Sequence, residues 1–493
     1  MITDWASRRA ALTPDRPAII DGISGTVYTY AAVAERVRRL AELLHQFGVR
    51  RGDRVAIVSR NHLAHVDLWL GAGYSGITVW PANWRLSTAE LIAQAGGVRP
   101  RLILYERVFK LVVEEMTALR EIPALGLEEY ETALSGFSGI APDPADPKDP
   151  AMLLFTGGST GHPKAVRIPH RQIFYNAVNT LMSWQLGADD RALVLTPFYH
   201  TGGYHVLTTP LFLAGGTSVL LPTFDPGQVL DARDRWRVTV LFMVPTMFHA
   251  LCEHPAFKAT NWTGLKFAIA GGAPCPESVR RMFEAEGIPF RQGYGLTEVG
   301  PNCFAIPEGT DGKAVADAVG VPVFHLTTRI VDPVGQNVRP GEVGELWLKG
   351  PTVADGYDAN PGESAQYFDQ DGYFHTGDLA RLDEAGLYHI VGRQKDLFIS
   401  GGENVYPGEV ETAVNNIPGV WACAVVGVPD ERWGEVGAAF VVAAQNLTVD
   451  AVRQALMGQL ARYKIPRYIH FVDALPLTGA GKIDKHGLRS WRP

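Results

Sequence analysis

Cysteine is scarce in this chain. The 493 residues hold four, Cys252, Cys275, Cys303 and Cys423, and no two of them form a C-x-x-C pair. A chain this long needs no disulfide scaffold, and the spacing suits no metal site. The four read as small buried hydrophobes in a reducing, cytoplasmic setting. Basic charge is not in excess either: 45 Lys and Arg stand against 52 Asp and Glu, a formal charge of -7. That argues against a nucleic-acid binder, which carries a basic face. No long uninterrupted apolar run is present, so no transmembrane segment is expected. The longest uncharged stretch, His205 to Phe224, is broken by Pro210, Gly215, Gly216 and Pro222 and reads as a buried helix, a turn and a strand. The N-terminal MITDWASRRAALTPDRPAII lacks the apolar core and cleavage site of a secretory signal. There is no internal repeat and no low-complexity linker.

What is there is an ordinary globular composition, 46% hydrophobic and 20% charged. Its length exceeds one core and implies two or three domains. Helical patterns alternate with short β-rich runs. Ala31 to Phe47 has helical apolar spacing and stops at Gly48, and RVAIVS (Arg54 to Ser59) follows as a strand. Similar strands recur at Val219 to Pro222, Val238 to Val244 and Leu265 to Ala270. This is the pattern of an α/β fold with mainly parallel sheets. Between Val319 and Lys349, short β runs punctuated by Gly and Pro predict a small β-barrel or meander. From Gln394 a compact α+β unit is expected, with helices at Pro407 to Asn416 and Val449 to Arg462. Its strands are expected at Ala422 to Val428 and Ala438 to Ala443. The division expected is therefore 1–393 and 394–493. APDPADPKDP (Ala141 to Pro150) reads as an exposed connection.

Gly71, Gly73 and Gly76 satisfy G-x-G-x-x-G, but a dinucleotide site needs a strand before the motif and a helix after it. Here a helix-like segment precedes a strand-like one, so small residues packed against a neighbour are the better reading. LLFTGGSTGHPKAV (Leu153 to Val166) is stronger. An apolar strand runs into Thr156, Gly157, Gly158, Ser159, Thr160 and Gly161 and closes at Lys164. Glycines let backbone N–H groups approach phosphate oxygens, the hydroxyls add donors, and a lysine adds a point charge. Pro163 separates the last glycine from the lysine, so this is not the P-loop of nucleotide triphosphatases.

The loop resembles the signature of the acyl-adenylate-forming, AMP-binding superfamily, which includes acyl-CoA synthetases, peptide-synthetase adenylation domains and beetle luciferases. The resemblance continues in order through GGAP (Gly271 to Pro274), QGYGLTE (Gln292 to Glu298), YFHTGDL (Tyr373 to Leu379), GRQKD (Gly392 to Asp396) and PLTGAGKIDK (Pro476 to Lys485), nearly the whole chain. It implies a large N-terminal domain of two α/β subdomains plus a small β-barrel, then a small mobile α+β C-terminal domain. It implies ATP, Mg2+ and coenzyme A as cofactor and co-substrates, and a carboxylic acid as the other partner, with a homodimer allowed.

By resemblance, Gly272, Ala273, Pro274 and Gly295 line the adenine, Tyr294 stacks on it, and Thr297 donates to the α-phosphate. Glu298 holds Mg2+, Asp378 accepts from the ribose hydroxyls, and Arg393 reaches ribose or phosphate. Lys482 bridges acyl carboxylate and α-phosphate. Ser400, Gly401 and Gly402 lie in the loop lining the pantetheine tunnel, and Lys395 is the hinge. The basic RYKIPR (Arg462 to Arg467) offers a place for the nucleotide end of coenzyme A. Singly, each residue has a plain structural alternative: Asp378 a helix cap, Glu298 a turn acid, Lys482 a surface lysine. One departure stands out: Gly157 occupies a position where the family commonly has serine.

The acid pocket is expected around Tyr199, His200, Tyr204 and Val244, in the segments Tyr199 to His205, Val244 to Phe248 and Val299 to Phe304. FYHTGG (Phe198 to Gly203) resembles acyl- and aryl-CoA ligases. No aspartate lies between Phe198 and Val206 to hold a substrate amine. A medium-chain fatty or aromatic acid therefore fits better than an amino acid or a dicarboxylate, with His200 walling off the reactive carboxylate. The expected reaction is acid–CoA ligation. The alternatives are an acyl-AMP ligase loading a carrier protein, an inactive binding module, and a luciferase-type oxygenase.

Overall fold

The computed structural model describes residues 2–118, 121–157, 163–310, 318–444, 447–478 and 483–491. Two largely parallel sheets dominate the first 300 residues. One orders its strands Phe290–Gln292, Phe267–Ala270, Val240–Met243, Arg191–Val194, Thr217–Leu220, Pro17–Asp21 and Val27–Thr29. The other runs Ala124–Gly126, Leu102–Tyr105, Arg54–Val58, Thr78–Pro81, Pro150–Thr156 and Lys164–Pro169. In each, only the last pair is antiparallel. The central strands are continuous apolar runs because helices cover both faces: Val55 through Val58 and Leu102 through Leu104 are fully buried.

Parallel strands line up their carboxyl ends, where ligands bind in open α/β sheets. Val240–Met243, Phe267–Ala270 and Phe290–Gln292 are neighbours. Val244, the turn at Gly271 and the Gly293–Tyr294 segment therefore emerge side by side. The uncharged stretch from His205 folds as expected, into helix Thr208–Ala214, a turn at Gly215 and strand Thr217–Leu220.

Gly71, Gly73 and Gly76 belong to packing. Helix Leu63–Ser75 ends on Gly76 in the left-handed region, and strand Thr78–Pro81 follows. A Cβ on Gly73 would stand 2.2 Å from the Thr3 carbonyl oxygen. The Pro- and Asp-rich connection is strapped to the same helix. Asp143 N donates to Tyr74 O (3.0 Å), Ala145 N to Gly73 O (3.2 Å), and Thr3 Oγ1 to Ala145 O (2.9 Å). Most of its residues are exposed as expected, but Ala145 is buried.

A six-stranded antiparallel sheet follows, ordered Phe304–Ala305, Ala318–Pro322, Tyr388–Arg393, Tyr373–Leu382, Gly344–Lys349 and Thr327–Val331. The last unit pairs Glu403–Val405, Phe398–Ser400, Gly434–Ala443 and Val420–Asp430, with Tyr468–Phe471 parallel to Gly434–Ala443. Helices Pro407–Asn415 and Val449–Leu456 bury apolar residues in its core. The second helix stops at Leu456 rather than running to Arg462: the backbone turns extended at Met457, ψ 126°, and Gly458 follows with φ +88°. At the C-terminal side, Leu477 and Ile483 form a β-bridge and Asp484 N donates to Pro476 O at 2.8 Å. Helix Lys485–Ser490 follows, held by a Lys485–Glu411 ion pair (2.6 Å) and the buried Leu488. Among the described residues no helix is long and apolar enough to cross a membrane.

Candidate active site

The loop after Thr156 joins the two antiparallel strands Pro150–Thr156 and Lys164–Pro169, with Thr156 opposite Lys164. Gly158, Ser159, Thr160 and Gly161 lie outside the described residues, as does Lys482. Gly157 is described: among the described residues nothing stands within 4 Å of a Cβ placed there, and its φ is outside the left-handed region. Gly157→Ser is therefore expected to keep acyl-CoA formation within about an order of magnitude of wild type, because the side chain adds a hydroxyl without a clash. Steady-state kinetics in ATP checks this, and a collapse of ATP affinity would count against the loop's tolerance.

Thr156 and Glu298 meet at this edge. Thr156 Oγ1 donates to Glu298 Oε1 at 3.2 Å, and Tyr357 Oη donates to the same oxygen at 3.2 Å. Glu298 is buried, and its carbonyl accepts from Ala354 N at 2.8 Å. A carboxylate fixed by two hydroxyls is oriented in advance, a different situation from a solvated turn acid.

Lys164 is placed inside the protein rather than at an open loop. Its ammonium is ion-paired with Glu363 and lies over the rings of Tyr357 and Tyr367, 5.2 and 4.4 Å from their centroids. The side chain is 8% exposed. Its charge is thus compensated inside the protein and anchors the hairpin, instead of standing free for a phosphate. RYKIPR is likewise partly committed: Lys464 pairs with Glu409 at 2.7 Å, and Arg467 pairs with Asp430.

The Gly271–Pro274 and Gly293–Gly295 segments, expected around adenine, converge through two residues that motif reading left without a role. Gln292 accepts from Cys275 N (2.9 Å) and donates to Ala273 O and Gly293 O (3.1 Å each), so one amide staples the Gly271–Pro274 turn to the tyrosine segment. Phe242 lies beneath both pocket loops. Cβ atoms built on Gly202 and Gly271 would stand 3.1 and 2.9 Å from its ring. Val244 is next to them, 3.7 Å from a Cβ built on Gly272. Removing the staple leaves several half-buried backbone groups without this partner and unties the turn from the tyrosine segment. Gln292→Ala is expected to raise the KM for ATP about tenfold while the KM for the acid stays near wild type. An equal rise in both would assign Gln292 to general stability.

Asp378 and Arg393 face each other across the antiparallel sheet. Arg393 Nε is 2.9 Å from Asp378 Oδ1, and Tyr294 Oη donates to Asp378 Oδ2 at 2.6 Å. Burial, then the Asp378 charge, pushes the Tyr294 phenol well above its ordinary range, and Asp378 raises the Arg393 guanidinium. Tyr294 stays neutral, a fixed aromatic plate. Gly295 turns tightly against Pro301, and the Thr297 carbonyl accepts from Gln172 Nε2 at 2.9 Å.

In the Phe198–Gly203 loop, Tyr199 is buried, edge-on to His200 (4.6 Å) and to Trp84 (6.1 Å). A cavity of about 270 Å³ opens alongside, lined by Asn61, Trp84, Arg85, Phe224 and Met247 among others. Tyr204 is fully buried, its hydroxyl 3.0 Å from His65 Nδ1, and it packs behind the loop. Asn61 clamps the same loop, donating to Thr196 O and accepting from Phe198 N, both at 3.1 Å. Sequence spacing held no signal for either clamp.

Ser400, Gly401 and Gly402 form a tight hairpin between Phe398–Ser400 and Glu403–Val405. Both glycines have positive φ, +61° and +87°, as a two-residue type I′ turn requires. The turn is solvent-exposed, although Gly401 abuts Trp433. Lys395 is exposed in a short 3₁₀ turn, Gln394–Asp396.

Comparison with known proteins gives the family. Residues 6–358 match the AMP-binding enzyme family, and residues 409–482 match the AMP-binding enzyme C-terminal domain. The chain belongs to the AMP-binding enzyme family. Within it, the chain is 39% identical to the feruloyl-CoA synthase of an Amycolatopsis species, over 98% of both chains. It is 34% identical to the indoleacetate–CoA ligase of Aromatoleum aromaticum, over 99% of this chain and 97% of that one. Its fold superposes on ATP-bound MatB from Rhodopseudomonas palustris with a TM-score of 0.90, at 32% identity over 99% and 98% of the two chains. The protein is an AMP-forming acid–CoA ligase, with ATP and coenzyme A as substrates.

Proposed function

We propose that the acid is aromatic and that the enzyme makes its coenzyme A thioester in two steps. The acid carboxylate attacks the α-phosphorus of ATP and expels pyrophosphate, giving an acyl-adenylate. The coenzyme A thiolate then attacks the acyl carbon and expels AMP. Charge gathers on phosphate oxygens in the first step, so oriented donors and cations are the chief requirement. The observation that carries this reading is the joining of Tyr294, Asp378 and Arg393 into one hydrogen-bonded unit beside the turn stapled by Gln292. That unit offers an aromatic plate for adenine and a carboxylate for the ribose hydroxyls.

Glu298 fits a magnesium ion. Carboxylate and phosphate oxygens are its preferred ligands, and Thr156 and Tyr357 hold this carboxylate in place. Mg2+ bound there would neutralise phosphate charge. Thr297 would donate to the α-phosphate, and Lys482 would bridge it to the acid. The hairpin at Gly401 and Gly402 would line the pantetheine passage once the C-terminal domain, 394–493, has turned about Lys395.

The aromatic assignment is supported by the ring-rich walls at Tyr199 and Trp84, by the lack of an acidic group near Phe198 to Val206, and by the substrates in the relatives' names. Pyrophosphate release is measured across fatty, aryl and amino acids, with coenzyme A or a phosphopantetheinylated carrier protein as acceptor. Aryl acids with coenzyme A are expected to give the highest kcat/KM. A preference for the carrier protein, or for alkyl acids, would overturn the proposal.

A further inference from the structure

Helix His170–Trp184 turns one polar stripe, Gln172, Asn176 and Thr180, toward the acid-pocket segments, and all three residues are buried. Gln172 Nε2 donates to Thr297 O (2.9 Å) and Asn176 Nδ2 to His205 O (2.7 Å). Thr180 Oγ1 accepts from Asn302 Nδ2 (2.7 Å), which also reaches Val206 O at 3.0 Å. The stripe therefore runs from Thr297, at the phosphate end, toward the far end of the pocket.

Its amides are used on one side only. Gln172 Oε1 and Asn176 Oδ1 have no hydrogen-bond partner among the described residues, and neither does either ring nitrogen of His205. His205 is 3% exposed. Buried polar atoms are nearly always paired, so the three at the Asn176–His205 contact, with Gln172 Oε1 one helical turn away, point to a partner that the polypeptide itself does not supply. Gly300 keeps the place open: its φ is +93°, and a Cβ there would stand 2.9 Å from Asn176 Oδ1.

We infer that His205 and Asn176 form the polar far end of the acid pocket and select aromatic acids carrying a hydrogen-bonding ring substituent, above all a phenolic hydroxyl. The inference rests on the aromatic reading above and deepens it. A hydroxyl suits the inventory: it donates to Asn176 Oδ1 and accepts from a ring N–H of His205. The imidazole is neutral, since burial lowers its pKa to about 3, so one nitrogen donates and the other accepts. Asn176 lies one helical turn beyond Gln172, about 6 Å along the axis. Recognition thus falls roughly a ring's length from Thr297. An alkyl chain would leave all these atoms unpaired.

The test compares kcat/KM for pyrophosphate release from 4-hydroxycinnamic acid, cinnamic acid and octanoic acid, in wild type, His205→Leu and Asn176→Leu. Wild type is expected to favour the hydroxylated acid over cinnamic acid by about tenfold or more. Each variant is expected to bring that ratio close to one. A wild-type ratio of one or less overturns the inference alone. So does a ratio kept in both variants at wild-type Tm, which would mean that internal water satisfies these atoms. Should a variant lose its cooperative melt, the wild-type ratio decides. Turnover of octanoic acid with neither aryl acid active overturns the aromatic reading and the inference together.

Discussion

Lys482→Ala is expected to lower acyl-adenylate formation by about a hundredfold or more while largely sparing thioester formation from a supplied acyl-adenylate. The reason is electrostatic. In the first half-reaction an anionic carboxylate approaches an anionic phosphate, and a cation between them lowers a barrier that arises from like charges. Losing such a contact costs about 3 kcal/mol. In the second half-reaction that phosphate is leaving, and the cation has no comparable task. The placement of Lys164 sharpens this expectation. With its charge committed to Glu363, the loop lysine does not stand ready to substitute. The measurement is paired: pyrophosphate release from acid and ATP, and acyl-CoA formation from synthetic acyl-adenylate and coenzyme A. An equal loss in both would remove Lys482 from its assigned role.

Lys395→Pro is expected to leave pyrophosphate release in a single turnover near wild type and to abolish acyl-CoA formation. Lys395 lies in a 3₁₀ turn, where φ falls near the value of about -65° that proline imposes. The turn's bonds run from Leu397 N to Arg393 O (3.2 Å) and Gln394 O (3.4 Å), so proline removes neither. It fits the pose described here, in which the Gly401–Gly402 hairpin is open to solvent and so is not inserted toward the acyl carbon. A hinge must absorb a large dihedral change, and proline takes that freedom away. Wild-type acyl-CoA formation by this variant would put the hinge elsewhere or dispense with the movement.

The parts of the site that were legible in the sequence are those whose chemistry needs neighbours in the chain. The motif order from Gly271 to Asp396 is carried by residues adjacent in the chain, and the alternation of strands and helices is itself a local pattern. The order of helix and strand around Gly71, Gly73 and Gly76 was local too, and it assigned them to packing. What escaped is held by partners distant in the chain. The Lys164 ammonium looked free because Glu363, Tyr357 and Tyr367 lie far along the sequence. Tyr204 looked like a pocket wall because its bond to His65 joins two sheets' worth of chain. Gln292, Phe242, Asn61 and Asn176 carry no spacing signal, since each is one side chain reaching a backbone or ring that only the fold brings near.

The tail of the small domain has a bearing on how the enzyme can be engineered. Lys482 directly precedes Ile483 in sequence, and Ile483 bridges to Leu477 while the neighbouring Asp484 N donates to Pro476 O. The helix Lys485–Ser490 is held through Glu411 and the buried Leu488. Trimming residues from Lys485 onward, or fusing a bulky tag against Trp491, would therefore remove the only mooring, among the described residues, on the C-terminal side of the segment that carries Lys482, the lysine proposed to bridge acid and α-phosphate. Such an edit would remove no group that meets ATP, yet its loss would fall on acid activation before it fell on thiol transfer.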